Sequence, residues 1–235
     1  MSRTTYQSDS KIRTVAAVAV FCALAYVACV FFHFRASFLT FDLKDAVMTV
    51  GAMLFGPAWG FAMAVVVALI EMLTVSTTGL YGFVMNVLAS ASFVCAASFI
   101  YTRRRTMKGA LVGTLCAVAA MTAVMMLANL VITPFYIGAS AAEVAKMIPT
   151  LLLPFNLTKA IFNASLVFIL YKPISAALRR AGFASVTVTN LGSDNAAHKP
   201  EKTRALGLTM VIAVLVAAAA LAFFFFVLHG SVSVG

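Results

Sequence analysis

Asn156, Lys159 and Asn163 stand at helical spacing near the start of one apolar stretch. Residues three and four apart share a helix face, so a single stripe would carry two amides and an ammonium. Amides both donate and accept hydrogen bonds, and an ammonium donates; the stripe is a donor-rich wall for a polar ligand. Asn129, near the end of the preceding apolar stretch, and Asp42, in the first long loop, are candidates to converge on the same pocket. Asn86 and Glu71 are the other polar side chains set within apolar stretches. Such groups are expensive at membrane depth, about 2.5–3.5 kcal/mol for a central charge, unless they are satisfied. Two readings stay open. Either these groups bind a ligand, or Lys159 snorkels to the interface and the asparagines bond neighbouring helices. Glu71 likewise either pairs at the outer rim or touches ligand, and Asn86 either joins helices or touches ligand.

Other chemistries are missing. There is no Gly-rich phosphate loop with Lys-Ser/Thr, so the chain does not hydrolyse ATP itself, and no H-E-x-x-H or G-x-S-x-G occurs. His33, His198 and His229 fall in a loop, a linker and a tail, which disfavours a histidine-based catalytic centre. Cys22, Cys29, Cys95 and Cys116 lie in apolar stretches without C-x-x-C spacing, and read as small buried residues rather than a disulfide framework or zinc site. No catalytic residue, metal ligand or cofactor is expected.

The elements that must position the polar residues are transmembrane helices. The chain has 235 residues, of which 63% are apolar and 10% charged, against about 25% charged in a soluble domain. Its apolar stretches run roughly 20 residues, the length of helix that crosses the hydrocarbon layer, and they do not alternate as barrel strands would. The expected fold is an all-α integral membrane protein in a lipid bilayer. Spans are expected over Thr14–His33, Ala46–Phe55, Ala58–Val75, Tyr81–Tyr101, Ala110–Thr133, Pro154–Tyr171 and Ala205–Leu228. The first is long for a signal peptide and reads as retained. The second is short and ends at Gly56-Pro57, where proline lacks an N–H and restricts its neighbour. A short surface helix is expected between Phe135 and Leu153. Residues 1–180 thus form a six-helix unit, 181–204 a polar cytoplasmic linker and 205–229 an additional helix. The net charge of +10 sits in clusters between spans, the pattern of cytoplasmic loops rather than of a nucleic-acid surface. With the N-terminus inside, only Arg35, Lys44, Lys146 and Lys159 of the 17 basic residues lie outside. That orientation puts the loops His33–Asp45, Thr74–Leu80 and Phe135–Leu153 outside. In the first span, Ala16, Ala19 and Ala23 form a smooth strip, for internal packing or for a partner helix.

Several segments resemble one family. These are Phe38-Leu39-Thr40-Phe41-Asp42-Leu43-Lys44-Asp45, the turn Leu54-Phe55-Gly56-Pro57-Ala58-Trp59-Gly60, Asn129 with Pro134 and Tyr136, and Pro154-Phe155-Asn156-Leu157-Thr158-Lys159-Ala160. Together they are similar to the substrate-binding S components of energy-coupling factor (ECF) vitamin transporters, of the riboflavin-specific type. The resemblance covers most of residues 11–180. It implies a six-helix bundle that binds the vitamin near its outer face, with Asn129, Asn156 and Lys159 on the flavin. It further implies that the first outer loop closes over the ligand around Leu39, Thr40 and Phe41, and that the small-residue strip packs on a transmembrane coupling protein. Two separate ATPase subunits would drive uptake across a prokaryotic plasma membrane. Riboflavin would then be cargo, not cofactor.

Two features depart from that family. Glu71 stands where many riboflavin-type members carry a basic residue, and the last span lies outside the usual six helices. Rival readings are an S component for another water-soluble vitamin, and a membrane enzyme or structural membrane subunit.

Overall fold

The computed structural model describes residues 2–32, 34–180, 200–228 and 231–232. Helix α1 (Ser2–Phe31) leads into a small hairpin, β1 (Phe34–Ala36) and β2 (Leu39–Phe41), with Phe34 opposite Phe41 and Ala36 opposite Leu39. A two-residue turn with Ser37 at φ 57° joins the strands. The loop expected between His33 and Asp45 is therefore partly strand. Three-residue strands carry no readable alternation, which is why the sequence does not announce them.

Helix α2 (Lys44–Phe55) has 12 residues, about 18 Å of rise and too short to cross the hydrocarbon layer. It survives because α1 and the later helices α3, α4 and α7 surround it, and every residue from Lys44 to Leu54 is buried. Gly56 stops it in a positive-φ conformation (φ 107°) that glycine adopts without a Cβ clash, and Pro57 begins α3 (Pro57–Thr74) at a position where its missing N–H costs nothing. One turn later Gly60 lets α3 approach closely: a Cβ there would fall 2.6 Å from the Ala52 Cβ and 2.8 Å from Val94.

Helices α4 (Gly79–Arg103) and α5 (Met107–Ile137) follow as a long antiparallel pair. Thr106 caps α5 by accepting a hydrogen bond from the Gly109 N–H at 3.1 Å. The sequence predicts an end at Pro134, but α5 continues to Ile137, where Gly138 closes it in a left-handed cap. Proline deletes only one donor, and the Gly138 N–H bonds back to the Pro134 carbonyl at 3.0 Å. The short helix α6 (Ala141–Met147) begins with a capping box made by Ser140 and Glu143. A π turn over Ile148–Leu152 leads into α7 (Leu153–Arg180).

The last helix, α8 (Pro200–Phe226), packs along α7 and is followed by β3 (Ser231–Val232), which pairs with β1. It starts before the expected Ala205, so residues 200–204 of the expected linker are helical; 181–199 lie outside the described residues. Among the described residues, six helical segments are long and apolar enough to cross a membrane, at 11–31, 57–74, 79–103, 107–137, 141–171 and 209–226. Their outward faces expose residues such as Leu24, Leu115, Leu127 and Val131, as expected where lipid is the solvent. The chain is a multi-pass membrane protein. Its central core joins Phe21, Met48, Met53, Met63, Phe93 and Met121; a second core at one end joins Phe41, Leu152, Phe155, Phe162 and Phe224.

Candidate ligand-binding cleft

A cleft opens at the end of the bundle where α4 begins, α5 ends and α7 begins, beneath the hairpin tip. The space between these walls, open mouth included, is about 680 Å³. Phe38, Leu39 and Thr40 form one edge; Tyr81, Met85 and Asn86 come from α4; Met121, Met125, Asn129, Thr133 and Tyr136 from α5; Phe155, Asn156 and Lys159 from α7. Tyr136 stands 6.3 Å from Phe38 and 6.5 Å from Tyr81 by ring centroids, so the mouth is rimmed with aromatic rings.

The polar atoms of the wall differ in how far the protein has already used them. Asn129 donates to the Met125 carbonyl at 2.7 Å and accepts from Thr133 Oγ1 at 2.9 Å. Asn156 donates to the Leu152 carbonyl at 2.8 Å, and its Oδ1 has no partner among the described residues. The side chain of Asn86 has none at all among the described residues, although it is half-buried in the wall. Lys159 donates to the Thr40 carbonyl at 3.1 Å and to Asp42 Oδ2 at 2.9 Å. Spare donors and acceptors therefore remain at Asn86 and Asn156, while Lys159 is held at the wall by the hairpin.

Behind the wall the charges alternate: Lys159, Asp42, Lys44, Glu71. Lys44 Nζ is 3.3 Å from Asp42 Oδ2 and also pairs with Glu71 Oε2, and all four side chains are at most 5% exposed. Burial alone raises the Asp42 carboxyl, but the charges of Lys159 and Lys44, aided by their hydrogen bonds, outweigh it and hold the group at about 2. Two positive and two negative groups thus neutralise one another, which is what makes them tolerable away from water. Cys29, Asp42 and Glu71 bring potential metal-ligand atoms within 4.8 Å of one another, yet the Lys44 ammonium bonds both carboxylates and already supplies the positive charge.

Residues 13–171 match the family described as "ECF transporter, substrate-specific component". The chain belongs to this family. It is 29% identical over 153 residues to the riboflavin transporter RibU of Staphylococcus aureus (strain TCH60), a match over 63% of this chain and 80% of that protein. It is 26% identical over 178 residues to the riboflavin transporter FmnP of Bacillus subtilis (strain 168), over 69% of this chain and 94% of that protein. Its fold is similar to a solved S component of a bacterial ECF transporter, with a TM-score of 0.62 at 27% identity, covering 72% of this chain and 98% of that one. The chain is a transporter component, not an enzyme.

In this S component, six residues picked from the sequence line the cleft: Leu39, Thr40, Asn86, Asn129, Asn156 and Lys159. Phe41, Asp42 and Asn163, expected in the same site, do not line it. Phe41 is fully buried against Phe155, Phe162 and Phe224. Asp42 points to the two lysines. Asn163 accepts from the Ala46 N–H at 2.9 Å and donates to the Asp42 carbonyl at 3.1 Å, satisfying the start of α2 from another helix. Leu43 at the α2 N-cap has no side chain able to do so. Glu71 takes the pairing reading, although its partner Lys44 was expected on an outer loop. Burial of Lys44 follows from the two carboxylates that flank it.

Asp45 and Ser90, hydrogen-bonded at 2.5 Å, escaped the sequence reading because nothing in either segment names the other. So did the cleft-lining Phe155 and Tyr136, although both lie within segments that resemble the family. Ala16, Ala19 and Ala23 are exposed on the outer face of α1, so their strip is not used for packing within this chain.

Proposed function

We propose that this S component binds riboflavin in the cleft and delivers it for ATP-driven uptake. The observation that carries this reading is the pairing of an aromatic-rimmed, partly apolar slot with amides whose hydrogen-bonding capacity is unspent, Asn86 and Asn156. A flavin has a flat ring that suits apolar and aromatic walls, and an edge of carbonyls and ring nitrogens, with a polyol chain, that suits amides and hydroxyls. The two named relatives are riboflavin transporters, which supports the same cargo here. Orientation supports it as well. Arg103, Arg104, Arg105 and Lys108 cluster where α4 ends and α5 begins, at the end opposite the cleft. Basic loops stay cytoplasmic, so in this reading the cleft faces outward and the N-terminus is cytoplasmic; the bacterial relatives support a prokaryotic plasma membrane.

In this reading the chain works beside a transmembrane coupling protein and two ATPase subunits, which membership of the ECF family supports. The exposed Ala16, Ala19 and Ala23 strip of α1 is the surface we assign to the coupling protein, because small residues allow close helix approach in lipid. The linker and α8 lie outside the matched region and form an added segment.

Titration of the purified protein with riboflavin, following quenching of flavin fluorescence, tests the reading. Saturable quenching with one site per chain is expected. No quenching, alongside saturable binding of a different water-soluble vitamin, overturns it.

A further inference from the structure

Over the described side chains of α8, one buried stripe runs through Ala213, Ala217, Ala220 and Phe224, three or four residues apart, and Leu228 continues it just past the helix end. The alanines let it lie close along α7. At the hairpin end the stripe changes character. Phe224 has no exposed surface, and its ring centroid lies 4.6 Å from Phe41, 6.2 Å from Phe155 and 6.3 Å from Phe34. Phe225 adds an edge-on contact to Phe34 at 5.4 Å. Beyond the helix, β3 pairs with β1, Phe34 opposite Val232 and Arg35 opposite Ser231.

Phe34 and Phe41 are the paired residues at the base of the hairpin. Its tip, Phe38 to Thr40, forms an edge of the cleft. A hairpin of two three-residue strands is not stable by itself, so its order comes from what it rests on. On one side that is Lys159, bonded to the Thr40 carbonyl at 3.1 Å. On the other it is the end of α8. The family match stops at residue 171, so this second support is an addition to the six-helix unit.

We propose that α8 is a brace for the hairpin: Phe224, seated between Phe34, Phe41 and Phe155, is a positioning residue that holds the hairpin over the cleft and slows release of the bound ligand. The ligand part rests on the proposed function; the hairpin part does not. Lifting the hairpin must separate the Phe41 and Phe224 rings and break the β1–β3 pairing, so opening is rarer with α8 in place than without its aromatic end.

The test uses the full chain in lipid nanodiscs, comparing wild type with Phe224→Ala and with the milder Phe224→Leu. Amide hydrogen exchange is measured without ligand, and riboflavin release is followed by recovery of flavin fluorescence. In Phe224→Ala, exchange over residues 34–41 is expected to quicken about tenfold, the equivalent of one lost aromatic contact, with α2 unchanged. Riboflavin release should quicken by a similar factor, and Phe224→Leu should fall between. Hairpin exchange identical to wild type in both variants overturns the brace. If Phe224→Ala does not insert, Phe224→Leu decides alone, and wild-type rates in it overturn the proposal. Should wild type bind no riboflavin, the proposed function fails, and the ligand-free exchange still decides the brace.

Discussion

Lys159 and Asp42 meet at 2.9 Å, 117 residues apart in the chain, and the same ammonium holds the Thr40 carbonyl at 3.1 Å. One side chain therefore ties α7, the hairpin and the buried charge row together while standing in the cleft wall. Ligand affinity and hairpin position are linked through it. They can be separated because Asp42 has a second partner in Lys44.

Substituting Lys159→Met should cost both stability and riboflavin affinity. Removing one member of a buried pair costs about 3–5 kcal/mol when the other is left alone; Lys44 still faces Asp42, so the loss should fall at or below that range. The double variant Lys159→Met/Asp42→Asn removes the stranded charge. It should recover part of the melting temperature while riboflavin affinity stays low. Wild-type affinity in the double variant, read by fluorescence titration, would remove Lys159 from the site.

Asn86 behaves differently because nothing among the described residues consumes its amide. Asn86→Leu should leave the melting temperature unchanged or slightly higher, since a half-buried polar group without a partner gives the fold little. Riboflavin binding should weaken about tenfold, the equivalent of one hydrogen bond near the top of its usual net range. Equal affinity in the variant and wild type would show that the ligand does not reach this wall.

Asn163 is a structural amide in the same stripe. Asn163→Ala uncaps α2 and should lower stability by about 1–2 kcal/mol, seen as a lower melting temperature, with riboflavin affinity reduced far less than in Asn86→Leu. A variant that melts normally but has lost binding would return Asn163 to the cleft.

The contrast between Asn156 and Asn163 shows where sequence reasoning stops. Spacing placed both on one face, and that is correct for a helix. It cannot say that the bundle divides the face, with one end opening on the cleft and the other meeting the start of α2 across 117 residues. The Gly56-Pro57 break was legible because its cause is local: a positive φ and a missing N–H. Lys44 misled for the opposite reason. A lysine in a loop looks solvated until two carboxylates from different segments are seen around it. The apolar spans were legible from length and composition, while the hairpin and the aromatic end of α8 depend on contacts no periodicity encodes.

The pH response follows from Asp42. Its folded value, about 2, lies below the ordinary 3.8, so the unfolded chain takes up its proton first as pH falls. The stabilisation is fully present above about pH 4 and is lost as pH falls through the folded value. The Asp42 contribution should therefore be constant from about pH 7 to about pH 5, and the difference in melting temperature between wild type and Asp42→Asn should hold steady there and shrink only in stronger acid. A difference that already collapses near pH 6 would mean that Asp42 is not charge-paired in the folded protein.

Gly60 offers a test of the packing that places the short helix. A Cβ at that position would approach the Ala52 Cβ to 2.6 Å and Val94 to 2.8 Å, and Ala52 is a fully buried residue of α2. The rigid Ala52 methyl cannot swing aside as a long side chain could, so α2 and α3 must move apart. Gly60→Ala should therefore cost about 1–3 kcal/mol, the usual range for an overfilled core, despite alanine's better helix propensity of about 1 kcal/mol. Because α2 carries Lys44 and leans on Asn163, the displacement should also weaken riboflavin binding without touching a cleft residue. A Gly60→Ala protein that melts at or above the wild-type temperature would show that α2 and α3 do not approach as closely as the 2.6 Å contact requires.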